Sequence, residues 1–276
     1  MTSISAGSLP AAIAERRAVL LRSLQQLPPR GSRPLTVSTR VAGWVTARAT
    51  AVLRGLPGVH VEDEAVHVAA SVSPRMSLNA VLAHVARTLN DAGCIRSWRG
   101  EMLDVVGEGR RLAVIERGAV RPLGLLTCAV HLNAWTPRGD LWIARRALTK
   151  STDPGKWDTL AGGLACAGEV PDVALVREAG EEAGLAHHDL ARRSPLHVIL
   201  RLHKRLPEGY QVEDVLVCDC VLADGVVPEN QDGEVSEFQR VPMEDVWSLI
   251  QAREFTAQAE LALLEGMAGR LASSAR

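Results

Sequence analysis

The stretch from Gly163 to Leu185 constrains this chain more than any other. It reads Gly-Leu-Ala-Cys-Ala-Gly-Glu, then Val-Pro-Asp-Val-Ala-Leu-Val, then Arg-Glu-Ala-Gly-Glu-Glu-Ala-Gly-Leu. Pro171 and Asp172 suit a first helical turn, where a missing N–H costs nothing and a negative charge meets the positive end of the helix dipole. Gly184 suits the position just past the last turn. At about 100° per residue, Glu178, Glu181 and Glu182 fall on one side, and Val173, Val176, Ala179 and Ala183 on roughly the opposite side. The spacing predicts a helix with one packed apolar face and one face of three carboxylates. Like charges at helical spacing cost a few tenths of a kcal/mol per pair, which Arg177 offsets in part through Glu181, four residues on. A solvated acidic face is the ordinary reading of a Glu-Glu pair. Several converging carboxylates suit instead a hard divalent cation such as Mg2+, which takes oxygen ligands and leaves positions open for substrate phosphates. Gly162-Gly163 allows close backbone approach, so a Gly162 carbonyl is a further candidate ligand.

At 276 residues, the chain is long enough for one large or two modest domains. Its hydrophobic content of 47% supplies a sizeable core, and a net charge of −1 gives no electrostatic case for a nucleic-acid polymer or a membrane surface. No apolar run approaches the roughly 20 residues of a membrane span. Glu15, Arg16 and Arg17 interrupt the one apolar stretch near the N-terminus, which is unlike a signal peptide. The five cysteines lack zinc spacing, and Cys218 and Cys220 share one face of a strand, which suits core packing. A reducing, cytoplasmic setting is the expectation.

Along the chain, residues 1 to 8 are small and polar and are expected to fray. Helical spacing runs from Leu9 to Leu27, from Val41 to Leu53 and from Ser77 to Asn90, with Ser77 as a cap. Gly31 to Pro34 reads as a loop. Val59–Val61 and Val66–Val68 read as a hairpin, and Met102–Val106 and Leu112–Ile115 as further strands. From Leu125 the pattern turns β-rich: strands at Leu126–Trp135, Leu141–Ala144, Leu196–Leu202, Val212–Leu222 and Glu237–Val241. Arg145 to Gly163 reads as a loop. Helices follow at Pro242–Gln251 and Thr256–Leu271. The expected division is an N-terminal α/β domain over 1–115 and a second domain over 116–276.

The stretch at 163–185 resembles the Nudix box, matching its fixed positions at Gly163, Glu169, Arg177, Glu178, Glu181, Glu182 and Gly184. Ile115–Gly124 leading to Val130–Asn133, Arg145–Lys150 leading to Pro154–Asp158, and Asp232–Val235 with Phe238 resemble the Nudix proteins related to the N-terminal half of fungal thiamine pyrophosphokinase. The resemblance implies an α/β/α sandwich with a mixed sheet, preceded by a smaller α/β domain. It implies an Mg2+-dependent pyrophosphohydrolase, with Mn2+ as a substitute, in which water attacks a small-molecule diphosphate. Thiamine diphosphate or its oxidised analogues would be cut to the monophosphate. Glu178 and Glu182 would bind the metal with Glu181 beside them, Arg177 would orient Glu178, and Glu169 would pair with Arg177. The general base stays open between a box glutamate, Glu234 and Glu237.

Lys150, Lys156, Arg145 and Arg146 are candidate phosphate ligands, or else solvated loop charges. Trp157 either stacks on a heteroaromatic ring or packs in the core. His131 and Asn133 either line a pocket or are satisfied core groups. Homodimerisation is common in that superfamily and is the partner expectation. Two alternatives remain: a Nudix-fold sensor without turnover, and an enzyme resembling isopentenyl diphosphate isomerase.

Overall fold

Short valine-rich runs that alternate in and out make strands, and alanine- and leucine-rich runs make helices. Here they sort into two bodies, the second with a separate cluster on each face of its sheet. A computed structural model describes residues 9–274; the expected fraying of residues 1–8 lies outside them. Among the described residues, no helix is long and apolar enough to cross a membrane.

The first core is built by β1 (Arg33–Val37), β2 (Arg40–Val45), α2 (Ala47–Leu53), β3 (Val59–Val61), β4 (Val66–Val68), α3 (Leu78–Asp91), β5 (Met102–Gly107), β6 (Arg110–Glu116) and α4 (Val120–Leu123), to which α1 (Leu9–Ser23) does not belong. Its sheet runs β2-β1-β4-β3, and β3 and β4 form the expected hairpin. The Ser77 hydroxyl caps α3 by accepting from the N–H of Ala80 at 3.3 Å. Two expectations change. Residues 33 and 34, read as loop, begin β1. Residues 41 to 45, read as the start of a helix, are strand β2, because Val41, Trp44 and Val45 suit a pleated surface and β1 supplies the hydrogen-bonding partner. Helix α2 starts only after Thr46, whose side chain caps it.

The second core holds β7 (Leu126–Trp135), β8 (Leu141–Arg146), β9 (Trp157–Asp158), β10 (Ala161–Leu164), α5 (Pro171–Ala183), β11 (His197–Leu206), β12 (Gly209–Val221), β13 (Val235–Val241), α6 (Met243–Gln251) and α7 (Ala257–Ser274). Seven strands make one sheet in the order β11-β12-β7-β8-β13, with β10 beside β7 and β9 beside β8. Only β12 and β7 run parallel, so the sheet is mixed. Successive side chains leave opposite faces of a strand. Val130, Leu132 and Ala134 with Cys218 and Cys220 therefore meet α5. Trp135, Ile143 and Val215 meet α6 and α7 on the other face. The result is an α/β/α sandwich, with both cysteines packed in its core.

The segment from 145 to 163, read as one loop, is punctuated by the end of β8 and by β9 and β10. Strands this short are defined by their partners in β7 and β8 rather than by their own composition. The first core extends past 115, because Ala119, Val120, Leu123 and Leu125 pack into it. Helix α1 joins the second core. Its Ile13 and Leu20, with Leu24 just beyond, are buried there. Arg16 donates to the buried Glu260 of α7 at 2.5 and 3.0 Å, and Arg17 pairs with Glu265 at 2.9 Å.

Candidate active site

Helix α5 begins with Pro171 in its first turn and ends at Gly184, whose φ of +66° is the left-handed conformation that glycine adopts without strain. The N–H of Leu185 returns to the carbonyl of Ala179 at 3.1 Å, closing the last turn. The helix packs through Ala174, Leu175, Ala179 and Ala183. Val173, expected on the packed face, is 55% exposed. Small alanines let the helix lie close to β10 and β7, and that contact rotates Val173 outward.

The same close approach buries carboxylates. A Cβ on Gly163 would sit 2.1 Å from the Glu178 carboxyl, so only glycine leaves room for it. Next to it, the N–H of Gly162 donates to Glu182 at 2.9 Å. Glu178 and Glu182 thus flank one two-residue piece of β10, with side chains only 14% and 8% exposed. Burial raises the Glu178 carboxyl against the opposing pull of Arg177. Burial pushes Glu182 up to about 7, with Lys150 and the Gly162 N–H working the other way and Glu178 adding to the rise.

Arg177 ties the group together. Its guanidinium donates to both oxygens of Glu169, at 2.9 and 3.0 Å, to Glu178 at 2.9 Å, to Glu181 at 2.9 Å and to the carbonyl of Leu164 at 3.1 Å. The bond from Arg177 holds Glu169 below the usual carboxylate range. Glu181 is the outermost of the set, with its side chain half exposed. Lys150 reaches in from the loop after β8 and donates to Glu182 at 3.3 Å and to Glu234. Among the described residues, no three acidic, histidine or cysteine side chains form a ready-made ligand cluster; Arg177 and Lys150 bond to the Glu178 and Glu182 carboxylates here.

Next to this group, reached through Lys150 and Leu164 but lined by none of the box carboxylates, opens a cavity of about 210 Å3 between the two cores. Arg96, Arg99, Arg117, Arg121, Arg146 and Lys150 line it, against Glu208, Glu213 and Glu234. The excess of cations suits an anionic ligand. Arg146 braces its rim, donating to the carbonyl of Thr152 at 3.0 and 3.1 Å and to Asp158 at 3.0 Å.

Of the basic candidates, Lys150 and Arg146 line the cavity. Arg145, one residue before Arg146 on β8, lies over the Trp157 ring at 5.3 Å and bonds the carbonyl of Gly155. Lys156 donates to the carbonyl of Arg253 at 2.6 Å. Trp157 packs in the second core at 5% exposure. Neither Arg145 nor Lys156 nor Trp157 lines the cavity. His131 and Asn133 are core groups: His131 shares a 3.1 Å hydrogen bond with Thr159, and Asn133 donates to the carbonyl of Ala262 at 2.8 Å. Glu234 stands beside Lys150 at the box, whereas Glu237 faces Arg145 at 3.6 Å and is not part of the cavity wall. The arginines contributed by the first core, together with Thr127 and Glu213, were not among the sequence candidates.

A model of the NUDIX domain matches residues 127–262. Over 243 residues the chain is 30% identical to "Nudix hydrolase 20, chloroplastic" of Arabidopsis thaliana. Over 233 residues it is 32% identical to "Nudix hydrolase 24, chloroplastic" of the same plant. Each match covers 80% of this chain and 63% of the relative, so the chain spans less than two thirds of the length of these plant proteins. An uncharacterized Nudix hydrolase of Streptomyces coelicolor is 39% identical over 156 residues, which cover 51% of this chain and 83% of that protein.

Proposed function

This chain belongs to the Nudix family, and from that premise we propose that it hydrolyses the diphosphate linkage of a small molecule, with Mg2+ or Mn2+ as cofactor and thiamine diphosphate or its oxidised analogues as candidate substrates. The observation that carries the reading is the pair Glu178 and Glu182, buried side by side on Gly162-Gly163 and both raised by burial, at the edge of a cation-lined cavity.

These residues fit a hard divalent ion. The donors are all oxygens, and two like charges held out of water are what such an ion neutralises. Glu178 and Glu182 would hold it, with Glu181 and the Gly162 carbonyl as further oxygen donors. When bound, it would supply charge neutralisation at the diphosphate oxygens and a water of lowered pKa.

The chain's own residues do the rest. Arg177 fixes the Glu178 carboxylate and is itself fixed by Glu169, so the carboxylates meet the ligand with little reorganisation. Lys150 and Arg146 offer charge-assisted donors to phosphate oxygens. Glu234, beside Lys150, is better placed than Glu237 to take a proton from the attacking water.

The test is mass-resolved accounting of products from purified protein with Mg2+, offered thiamine diphosphate, oxothiamine diphosphate, ADP-ribose, NADH, dinucleoside polyphosphates, 8-oxo-dGTP and isopentenyl diphosphate. Glu182→Gln is the matched control. Release of a thiamine-type monophosphate, lost in the variant, supports the reading. Cleavage of a nucleotide alone keeps the chemistry and discards the thiamine assignment. No turnover, with equal ligand binding by both proteins, favours a sensor.

A further inference from the structure

Three carboxylates line the cavity, and two of them are neutralised. Glu234 is paired with Lys150, and Glu208 with Arg121. The third, Glu213 on β12, is different. It is only 5% exposed, and its partners are the hydroxyl of Thr127 at 2.5 Å, the side-chain amide of Gln211 at 2.9 Å and that of Gln258. All three donors are neutral. No lysine, arginine or histidine is among these hydrogen-bond partners. The arrangement is built by the sheet: Glu213 stands opposite Thr127 in the parallel pairing of β12 with β7, and α7 brings Gln258 over it. A carboxylate taken out of water keeps a cost that neutral donors repay only in part. Leu125 and Val212 line the same cavity and exclude water beside it. A ligand that brings a positive charge or several N–H donors to this point gains the charge-assisted bonds that the protein itself leaves unmade.

We propose that Glu213 is a specificity-determining residue, which binds a cationic or N–H-donating head group on the substrate while Lys150 and Arg146 hold its diphosphate. The inference deepens the diphosphatase reading and rests on the cavity being the substrate site. It selects, among diphosphate esters, those with a positively charged heteroaromatic or amine head over those with a neutral one.

The experiment measures dissociation constants by calorimetry with Ca2+ in place of Mg2+, to hold back turnover. The ligands are thiamine diphosphate, whose thiazolium is cationic, and isopentenyl diphosphate, whose head is neutral. Glu213→Gln keeps the shape and removes the charge. It is expected to weaken thiamine diphosphate by about tenfold or more, and isopentenyl diphosphate by less than about twofold. Gln258→Ala removes a neutral donor and keeps the charge, so it retains the wild-type preference. A purely structural role for Glu213 would make the two variants behave alike. Equal weakening of both ligands by Glu213→Gln, an unchanged constant for thiamine diphosphate, or a wild type with no preference for the cationic head would each overturn the proposal. If Glu213→Gln does not fold, thiamine without phosphate is offered to the wild type, with isopentenol as the neutral control; the same preference is required there. Turnover on Mg2+ is scored separately. Hydrolysis without head-group preference sinks only the role of Glu213, and preference without hydrolysis sinks only the diphosphatase reading.

Discussion

Glu182 should make the metal-free protein less stable as pH rises, and Glu182→Gln should remove its part of that slope and leave the part due to Glu178, which burial also raises. The folded protein keeps a proton on Glu182 up to about pH 7, whereas an ordinary glutamate loses it near 4.5. Between those values the native state binds more protons than the unfolded chain, so stability falls as pH rises. The contribution is whole below 4.5 and gone above about 7. Each pH unit in that window is worth about 1.4 kcal/mol, so the full loss is roughly 3 kcal/mol. With its side chain 8% exposed, Glu182 has little solvent screening to discount that figure. Burial depresses His131, which works in the opposite sense: its contribution is present above 6.5 and lost as pH falls. That effect is common to both proteins and cancels in their difference. The assay is urea unfolding followed by tryptophan fluorescence, in EDTA, at pH 5, 6, 7 and 8. The variant should gain on the wild type by about 2.5 kcal/mol between pH 5 and 8, because glutamine still accepts from the Gly162 N–H without carrying a charge. Added Mg2+ at pH 8 should then stabilise the wild type and leave the variant unchanged. A difference that stays flat across pH 5 to 8 would refute the reasoning.

Gly163→Ala should displace the Glu178 carboxyl, which is the end of a flexible side chain, and so leave circular dichroism unchanged while Mn2+ affinity, read by electron paramagnetic resonance, drops by about tenfold or more. Arg177→Gln removes the cation from two largely buried carboxylates, Glu169 and Glu178, and should cost about 3 kcal/mol in urea unfolding at pH 7. It should also erase part of the acid limb below pH 4.5, where the wild type loses the stability that a depressed Glu169 provides. Trp157→Phe should cost about 1–3 kcal/mol by thermal denaturation and leave KM for the substrate within about twofold, as befits a core residue rather than a stacking platform.

The box helix was legible because its end signals are local: Pro171 opens it, Gly184 closes it and the carboxylates have helical spacing. Its packed face was misjudged because alanines carry little hydrophobic signal, and Val173 looks more like a core residue than Ala174 does. Residues 41 to 45 were misread because valine and alanine periodicity fits either element over so short a run; the strand β1 that decides it lies elsewhere in the chain. Lys150 is a sequence candidate because it lies near the box in sequence. Thr127 and Glu213 are not, because only the parallel pairing of β7 with β12 brings them together. The arginines of the first core were missed for the same reason. Nothing local to Arg96 or Arg121 says that either will face a cavity shared with the second core.

Because α1 rests on α7, the chain enters the second core, leaves it to build the whole of the first, and returns at β7. In architectural terms the smaller unit is an insertion, tethered at both of its ends to the body it leans on. A two-point tether keeps the arginine wall of the insertion near the box. It also means that no single cut separates the two units. A fragment starting at residue 116 would lack Ile13 and Leu20 and bare the apolar seat they fill, leaving Glu260 buried without Arg16.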